Sequence, residues 1–423
     1  MITIADLANL ISPGFTEAVL QDILRKKSGI ANPVIKEIML GSSSNKGDSY
    51  LSTVTRLTII GIENEGSGDG NIFQVHVIIK SVPQSQTRAK SFRSLDFFGT
   101  EIGFYNKIWP QLNAFQRSKQ LPELFESIPL CLATFSDGKT DFIVLEDLSY
   151  QGFKALDRSS SGLDLNTTLY ILKYFAKFHG ISVAYKEQHP EEFQKFDEDL
   201  KETYFDEKFR EWYRGTMEKM CLVVKDAAEK ELPPNYFKKI EEVMSQDLYG
   251  NICQLLKKRT VFSAVTHGDC WPPNFLVKEQ DGSKEIALID FQLTRVASLT
   301  TDILFLLCTC VDPTVLDKHW DHIISEYYEN FIGVLKELGF KSEITLDMLK
   351  QEIKAYGLFA FGMCNEALIM SLMDDEDVAD LDALEGDEVI PLHNIWKIEP
   401  IKDNEKRKRI ADYLKHLINY KLI

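Results

Sequence analysis

Apolar and polar positions follow two rhythms along the chain. From Val34 to Val82 they alternate: VIKEIML, YLSTVTRLTIIGI and NIFQVHVIIKSV are β-branched runs separated by GSSSNKGDS and ENEGSGDGN. Such runs between Gly/Ser/Asn clusters predict three strands of an antiparallel sheet. Ahead of them, residues 3–27 carry helical spacing: Ile4, Leu7, Leu10 and Ile11, then Phe15, Val19, Leu20, Ile23 and Leu24 after Pro13. A helix is expected near 91–113 and further strands near 129–134 and 141–146. Past Leu148 the rhythm is mainly helical, over Leu165 to Ala184 and then 202–230, 236–257, 314–339, 346–372 and 404–420. Only 260–296 reads as strand and turn. The expected fold is α+β and two-lobed. A small antiparallel-sheet N-lobe spans 1–147 and a large, mostly helical C-lobe spans 148–423. Ligand sites favour the cleft between two such bodies.

Composition narrows the function. The chain has 423 residues, enough for two or three structural units at roughly 100–200 residues each. With 64 acidic and 48 basic residues the formal net charge is −16. That argues against sequence-independent binding to nucleic acid or anionic membranes. Seven cysteines without a CxxC pair suit free thiols in a reducing compartment. No basic stretch followed by a long apolar run opens the chain, and the most apolar run, Ile303 to Val311, is too short to span a bilayer. A cytoplasmic location is expected, with no membrane span and no protein partner implied. The acidic run from Asp374 to Glu388 reads as a solvated loop.

The chemistry concentrates in 266–302. THGDCWPPNFLV places Asp269 five positions before Asn274, with two prolines between. Asp281-Gly282 is a type I′ hairpin signal. With that pair as the turn, paired residue numbers sum to 563. Asn274 then lies opposite Ile289, one step from Asp290, and Asp269 sits in the loop feeding the same end. Singly, Asp290 reads as a strand-end residue and HGD as a polar turn. Together they place a carboxylate and an amide, hard oxygen donors suited to Mg²⁺, beside a second carboxylate able to take a proton. That division of labour belongs to phosphoryl transfer from ATP.

The small lobe should supply a cation. Lys80 ends the third strand and Glu101 lies on the helix that follows, so a Lys–Glu pair would steady an ammonium near phosphates. Alone, Lys80 reads as a solvated strand-end lysine. The loop Gly41 to Ser52, which includes Gly47 and Ser49, lies where backbone N–H groups would cover phosphates, though a plain flexible hairpin fits it nearly as well. FIVLEDLS ends the small lobe, and Glu146 and Leu148 there would offer a carbonyl and an N–H to adenine. Asp302 opens an apolar helix, either as a helix N-terminal acid or as a fastener of the Asp269 loop through backbone N–H groups. The aromatic and Met-rich stretch Tyr356 to Met373 reads as core, with one face able to wall a substrate pocket.

THGDCWPPNFLV with IALIDFQLTRVASLTTDILFLL resembles the ecdysteroid kinase-like (CHK kinase-like) family of small-molecule kinases. The likeness extends to GDSYLSTVTRL, VIIK, TEIGFY, VLEDLSYQGF and LKYFAKFHGISVA. The family is related to choline kinases and aminoglycoside phosphotransferases and has a protein-kinase-like fold. The resemblance implies ATP and Mg²⁺ and a small-molecule alcohol as acceptor, an ecdysteroid or another lipophilic compound. It matches Asp269 to the catalytic Asp, Asn274 and Asp290 to the metal ligands, Lys80 to the phosphate-contacting Lys and Glu101 to its partner. Glu146 and Leu148 fall on the nucleotide connector. HGD in place of HRD, and DFQ without an activation segment, argue against protein substrates. Two other functions stay open on the sequence: a non-catalytic nucleotide-binding pseudokinase, and a metal-dependent hydrolase that would need neither Lys80 nor Glu101.

Overall fold

Five strands build the first sheet: β1 Pro33–Leu40, β2 Thr53–Glu63, β3 Ile72–Ser81, β4 Cys131–Phe135 and β5 Phe142–Glu146. They are antiparallel, in the order β1-β2-β3-β5-β4. The computed structural model describes residues 2–41, 51–63, 70–157, 162–280, 282–374 and 379–423. Strand alternation gives the sheet two different faces. Leu57, Ile59, Val75, Val77, Ile79, Phe142 and Val144 pack against Leu7, Leu20, Ile23 and Leu24 of the helices Ile4–Leu10 and Glu17–Ser28. Ile143 and Leu145 point the other way and join the large core of the second lobe. Lys80 pairs with Ile143 and so lies on that inner side.

The helix expected near 91–113 starts earlier and is broken. Gln86–Ser91 is followed by Arg93 in the left-handed region, then by Ser94–Gly103, a π turn Phe104–Ile108 and Trp109–Ser118. The C-terminal body is mainly helical. Leu165–Gln188 and Pro313–Glu337 lie along one another at its centre. The stretch expected as one helix over 236–257 divides at Ser245–Asp247, and 346–372 bends at Tyr356. Residues 202–206 are not helical.

Within this body a short strand β6, Lys154–Ala155, borders the hairpin. Strand β7 is Ser263–Thr266, β8 Phe275–Gln280, β9 Ser283–Leu288 and β10 Arg295–Ser298. β7 pairs with β10. β8 and β9 pair from Phe275–Leu288 to Gln280–Ser283, the register that a two-residue turn at 281–282 requires. Gly282 is left-handed at φ 80°, and Asp281 lies outside the described residues.

The acidic run is not only a solvated loop. Glu385, Asp387 and Glu388 do face solvent, but Leu381 is buried and the main chain docks on the first lobe. Thr87 Oγ1 donates to the Glu385 carbonyl (3.1 Å) and Thr87 N–H to that of Gly386 (3.3 Å). Ile390 N–H donates to Ser91 Oγ (2.8 Å). Residues 375–378 of the run lie outside the described residues. No single helix among the described residues is long and apolar enough to cross a membrane.

Candidate active site

The loop after β7 is held from below by one carboxylate. Asp302 is fully buried, and its oxygens accept the His267 N–H (2.6 Å), the Gly268 N–H (2.9 Å) and His179 Nε2–H (3.0 Å). Tyr327 O–H in turn donates to His179 Nδ1 (2.8 Å). Burial works against the Asp302 charge, but the His179 hydrogen bond and the nearby imidazoles and N–H outweigh it and lower the pKa. Gly268 has φ 84°, and a Cβ there would come within 2.1 Å of the Leu293 carbonyl oxygen. The glycine of HGD is therefore required by both backbone conformation and space.

His267 locks the next step. Its Nε2–H donates to the Ile289 carbonyl (2.9 Å), which leaves Nδ1 to accept the Asp269 N–H (3.2 Å). The two prolines then form a single 3-10 turn, Pro272–Asn274, closed by Asn274 N–H to the Trp271 carbonyl (3.1 Å). Proline suits the first positions of a helical turn, where its missing N–H costs nothing. That turn aims Asn274 back at the loop: its Nδ2 donates to Asp269 Oδ2 (2.9 Å) and to the Asp269 carbonyl (3.1 Å). Burial, with Asp290 close by, pushes the Asp269 carboxyl up to about 7 against the Asn274 hydrogen bond.

Asp290 follows β9 with φ 69°, an uncommon conformation for a residue with a side chain, and one that Asp tolerates better than most. Its Oδ1 accepts Lys80 Nζ at 2.7 Å, and Lys80 also reaches Glu101 Oε2 at 2.5 Å. Burial opposes the ammonium, but Asp290 and Glu101 together hold the Lys80 pKa above the usual lysine value. Phe291 stacks on Phe104 at 3.9 Å and lies 4.8 Å from His267. It thereby packs the Glu101 helix against the Asp269 loop.

The structure thus brings Lys80, Glu101, Asp290, Asp269 and Asn274 together. Glu146 and Leu148 lie at the end of β5 and the start of the turn after it. The Glu146 carboxylate is engaged by Lys27 (2.5 Å) and the Leu130 N–H (2.8 Å), and the Glu146 N–H donates to the Leu130 carbonyl (3.0 Å). Gly47 and Ser49 lie outside the described residues.

Asp269 and Asp290 open onto a cavity of about 180 Å³ walled by aromatic and Met side chains, among them Phe97, Tyr204, Trp212, Trp271 and Met370. Glu366 and Thr216 also line it. Sequence reasoning missed both. For Glu366 a signal existed: it is the only charged residue between Tyr356 and Met373.

The model of the ecdysteroid kinase-like family matches residues 46–340. No curated protein matches the chain. Among solved structures, a Plasmodium vivax ethanolamine kinase is similar at 14% identity and a TM-score of 0.39, over 85% of this chain and 82% of that one. A microcompartment-associated aminopropanol kinase is similar at 11% identity and a TM-score of 0.39, over 92% and 94%.

Proposed function

Because the chain belongs to the ecdysteroid kinase-like family, a family of small-molecule alcohol phosphotransferases, we propose that it transfers the terminal phosphoryl group of ATP to a hydroxyl of a lipophilic compound such as an ecdysteroid. The lobes that divide near residue 147 enclose the reacting groups. Asp269 accepts the alcohol proton, and Asn274 holds one of its oxygens so that the other faces the cavity. A carboxyl poised near 7 is matched to proton transfer at neutral pH. As the alcohol oxygen bonds the terminal phosphorus, the bond to the leaving ADP breaks and the proton passes to Asp269. Lys80, steadied by Glu101, holds the phosphates. The main chain of Glu146 and Leu148 meets adenine.

Asn274 and Asp290 fit a magnesium ion. They offer an amide oxygen and a carboxylate, and Mg²⁺ takes few protein oxygens alongside those of phosphates and water. When bound, the ion neutralises phosphate charge. The free thiols favour action in the cytoplasm.

One observation carries this reading: Asp290 touches Lys80 and lines the same cavity as Asp269. The test is Asp269→Asn, assayed with Mg·ATP and a pool of steroids and small alcohols by mass shift. Turnover should vanish while ATP binding survives. Full activity in the variant would sink the assignment.

A further inference from the structure

Two polar groups in the cavity wall lie apart from the cluster of Lys80, Glu101 and Asp290. Glu366 lies in a π turn, Cys364–Leu368, which interrupts the helical run between Gly357 and Leu372. Such turns re-aim side chains and are frequent at functional sites. Protein surrounds Glu366, yet it keeps accessible surface, which it presents to the cavity. Its two oxygens accept the hydroxyls of Tyr204 and Tyr213. No described cation pairs with it or bears on its charge. A carboxylate has about four acceptor positions, so two phenols leave capacity for another donor.

Thr216 lies three residues beyond Tyr213 on the helix Arg210–Glu231, and so on the same face. Its hydroxyl is buried and finds no partner among the described residues. Buried hydroxyls are normally hydrogen-bonded, and Thr216 belongs to the cavity wall, so a small turn of its side chain would find a partner within the cavity.

A ligand hydroxyl answers both groups. It can donate to Glu366 and accept from Thr216, whereas an ammonium can only donate and an apolar terminus leaves both unmatched. Burial pushes the Glu366 carboxyl up against the pull of the two tyrosines, and a hydroxyl suits either protonation state. The remaining wall, with Phe97, Trp212, Trp271 and Met370, suits an apolar body between the two ends.

We propose that Glu366 and Thr216 form a specificity subsite for a second hydroxyl of the acceptor, so that lipophilic diols and polyols are preferred over mono-alcohols. This rests on the reading of the cavity as the acceptor pocket beside Asp269.

The experiment uses three compounds on one apolar skeleton: a mono-alcohol, the diol with a distal hydroxyl, and the analogue with an amine in its place. Turnover is measured with Mg·ATP, and binding by calorimetry without nucleotide. The wild type should prefer the diol over the mono-alcohol by roughly 10–100-fold. Glu366→Gln and Thr216→Val should each remove most of that preference. Thr216→Val keeps the side-chain shape, so it stands as a test even if Glu366→Gln fails to fold. Preference retained in both variants, or the amine bound more tightly than the diol, would overturn the subsite. Preferential binding of the diol without turnover of any compound would support the subsite while the kinase reading fails. Turnover without preference would do the reverse.

Discussion

Lys80 and Asp290 are 210 positions apart and share a 2.7 Å ion pair. One is the penultimate residue of the third strand of the small lobe and the other follows the hairpin of the large lobe. With Glu101 on the other side of the ammonium, the pair ties both lobes to one buried charge cluster.

Lys80→Met should therefore affect activity and folding together. Loss of a charge-stabilising group at such a site costs on the order of 100–1,000-fold in rate. It also leaves Glu101 buried without its cation, and breaking a buried pair costs about 3–5 kcal/mol. Adding Glu101→Gln should recover much of the stability in a denaturant titration and none of the activity. Recovery of turnover in the double variant would show that Lys80 acts only through the fold.

Asp302 gives a pH-dependent prediction. Its folded pKa lies below the ordinary 3.8, because hydrogen bonds and nearby imidazoles overcome the effect of burial. A depressed carboxyl stabilises the fold fully above the unfolded value and loses that contribution as pH falls through the folded one. Asp302→Asn should thus be less stable than the wild type by about 2–4 kcal/mol near neutrality. The gap should shrink below pH 3.8. Paired denaturant titrations across this range check it, and a gap that widens on acidification would contradict it. Since Asp302 also carries the His267 and Gly268 N–H groups, turnover should fall with little change in nucleotide affinity.

Gly268→Ala tests the loop itself. The new methyl meets the Leu293 carbonyl at a distance no packing can absorb, and φ 84° disfavours any side chain. Turnover should drop by at least about 100-fold, since small displacements of a catalytic group are costly. Circular dichroism should show the fold retained, and near-normal kinetics would mean the loop can move without penalty.

Much of this arrangement was legible in the sequence because its determinants are local. Strand alternation put Lys80 near the end of β3. The hairpin turn set the register that brings Asn274 beside Asp290. The aromatic cavity was less legible. Tyr213 and Thr216 share the helix Arg210–Glu231, but Tyr204 lies in the loop before it and Glu366 in a π turn 153 positions after Tyr213, and nothing in the local spacing announces that they meet. The division of 236–257 and the bend at Tyr356 were missed because helical periodicity runs on through a short break. Charge density misread part of the segment after Asp374: Glu385, Asp387 and Glu388 face water, but main-chain groups between Leu384 and Ile390 hold the other lobe.

That segment yields the last prediction. Between Leu384 and Ile390 it is tied to the helix Gln86–Ser91 of the small lobe, with Ser85 Oγ donating to the Leu384 carbonyl as well. A few residues on, Leu392 and Trp396 line the cavity that holds Asp269. One stretch of chain thus joins the small lobe to the wall of that cavity. Removing the ties with Thr87→Val and Ser91→Ala should loosen the wall without touching the charge cluster around Lys80. Each lost hydrogen bond is worth about 0.5–1.5 kcal/mol, so the acceptor KM should rise roughly 3–30-fold while ATP affinity stays within about twofold. Equal changes in both constants would mean the segment merely supports the small lobe. An unchanged acceptor KM would mean that Leu392 and Trp396 keep their places without it.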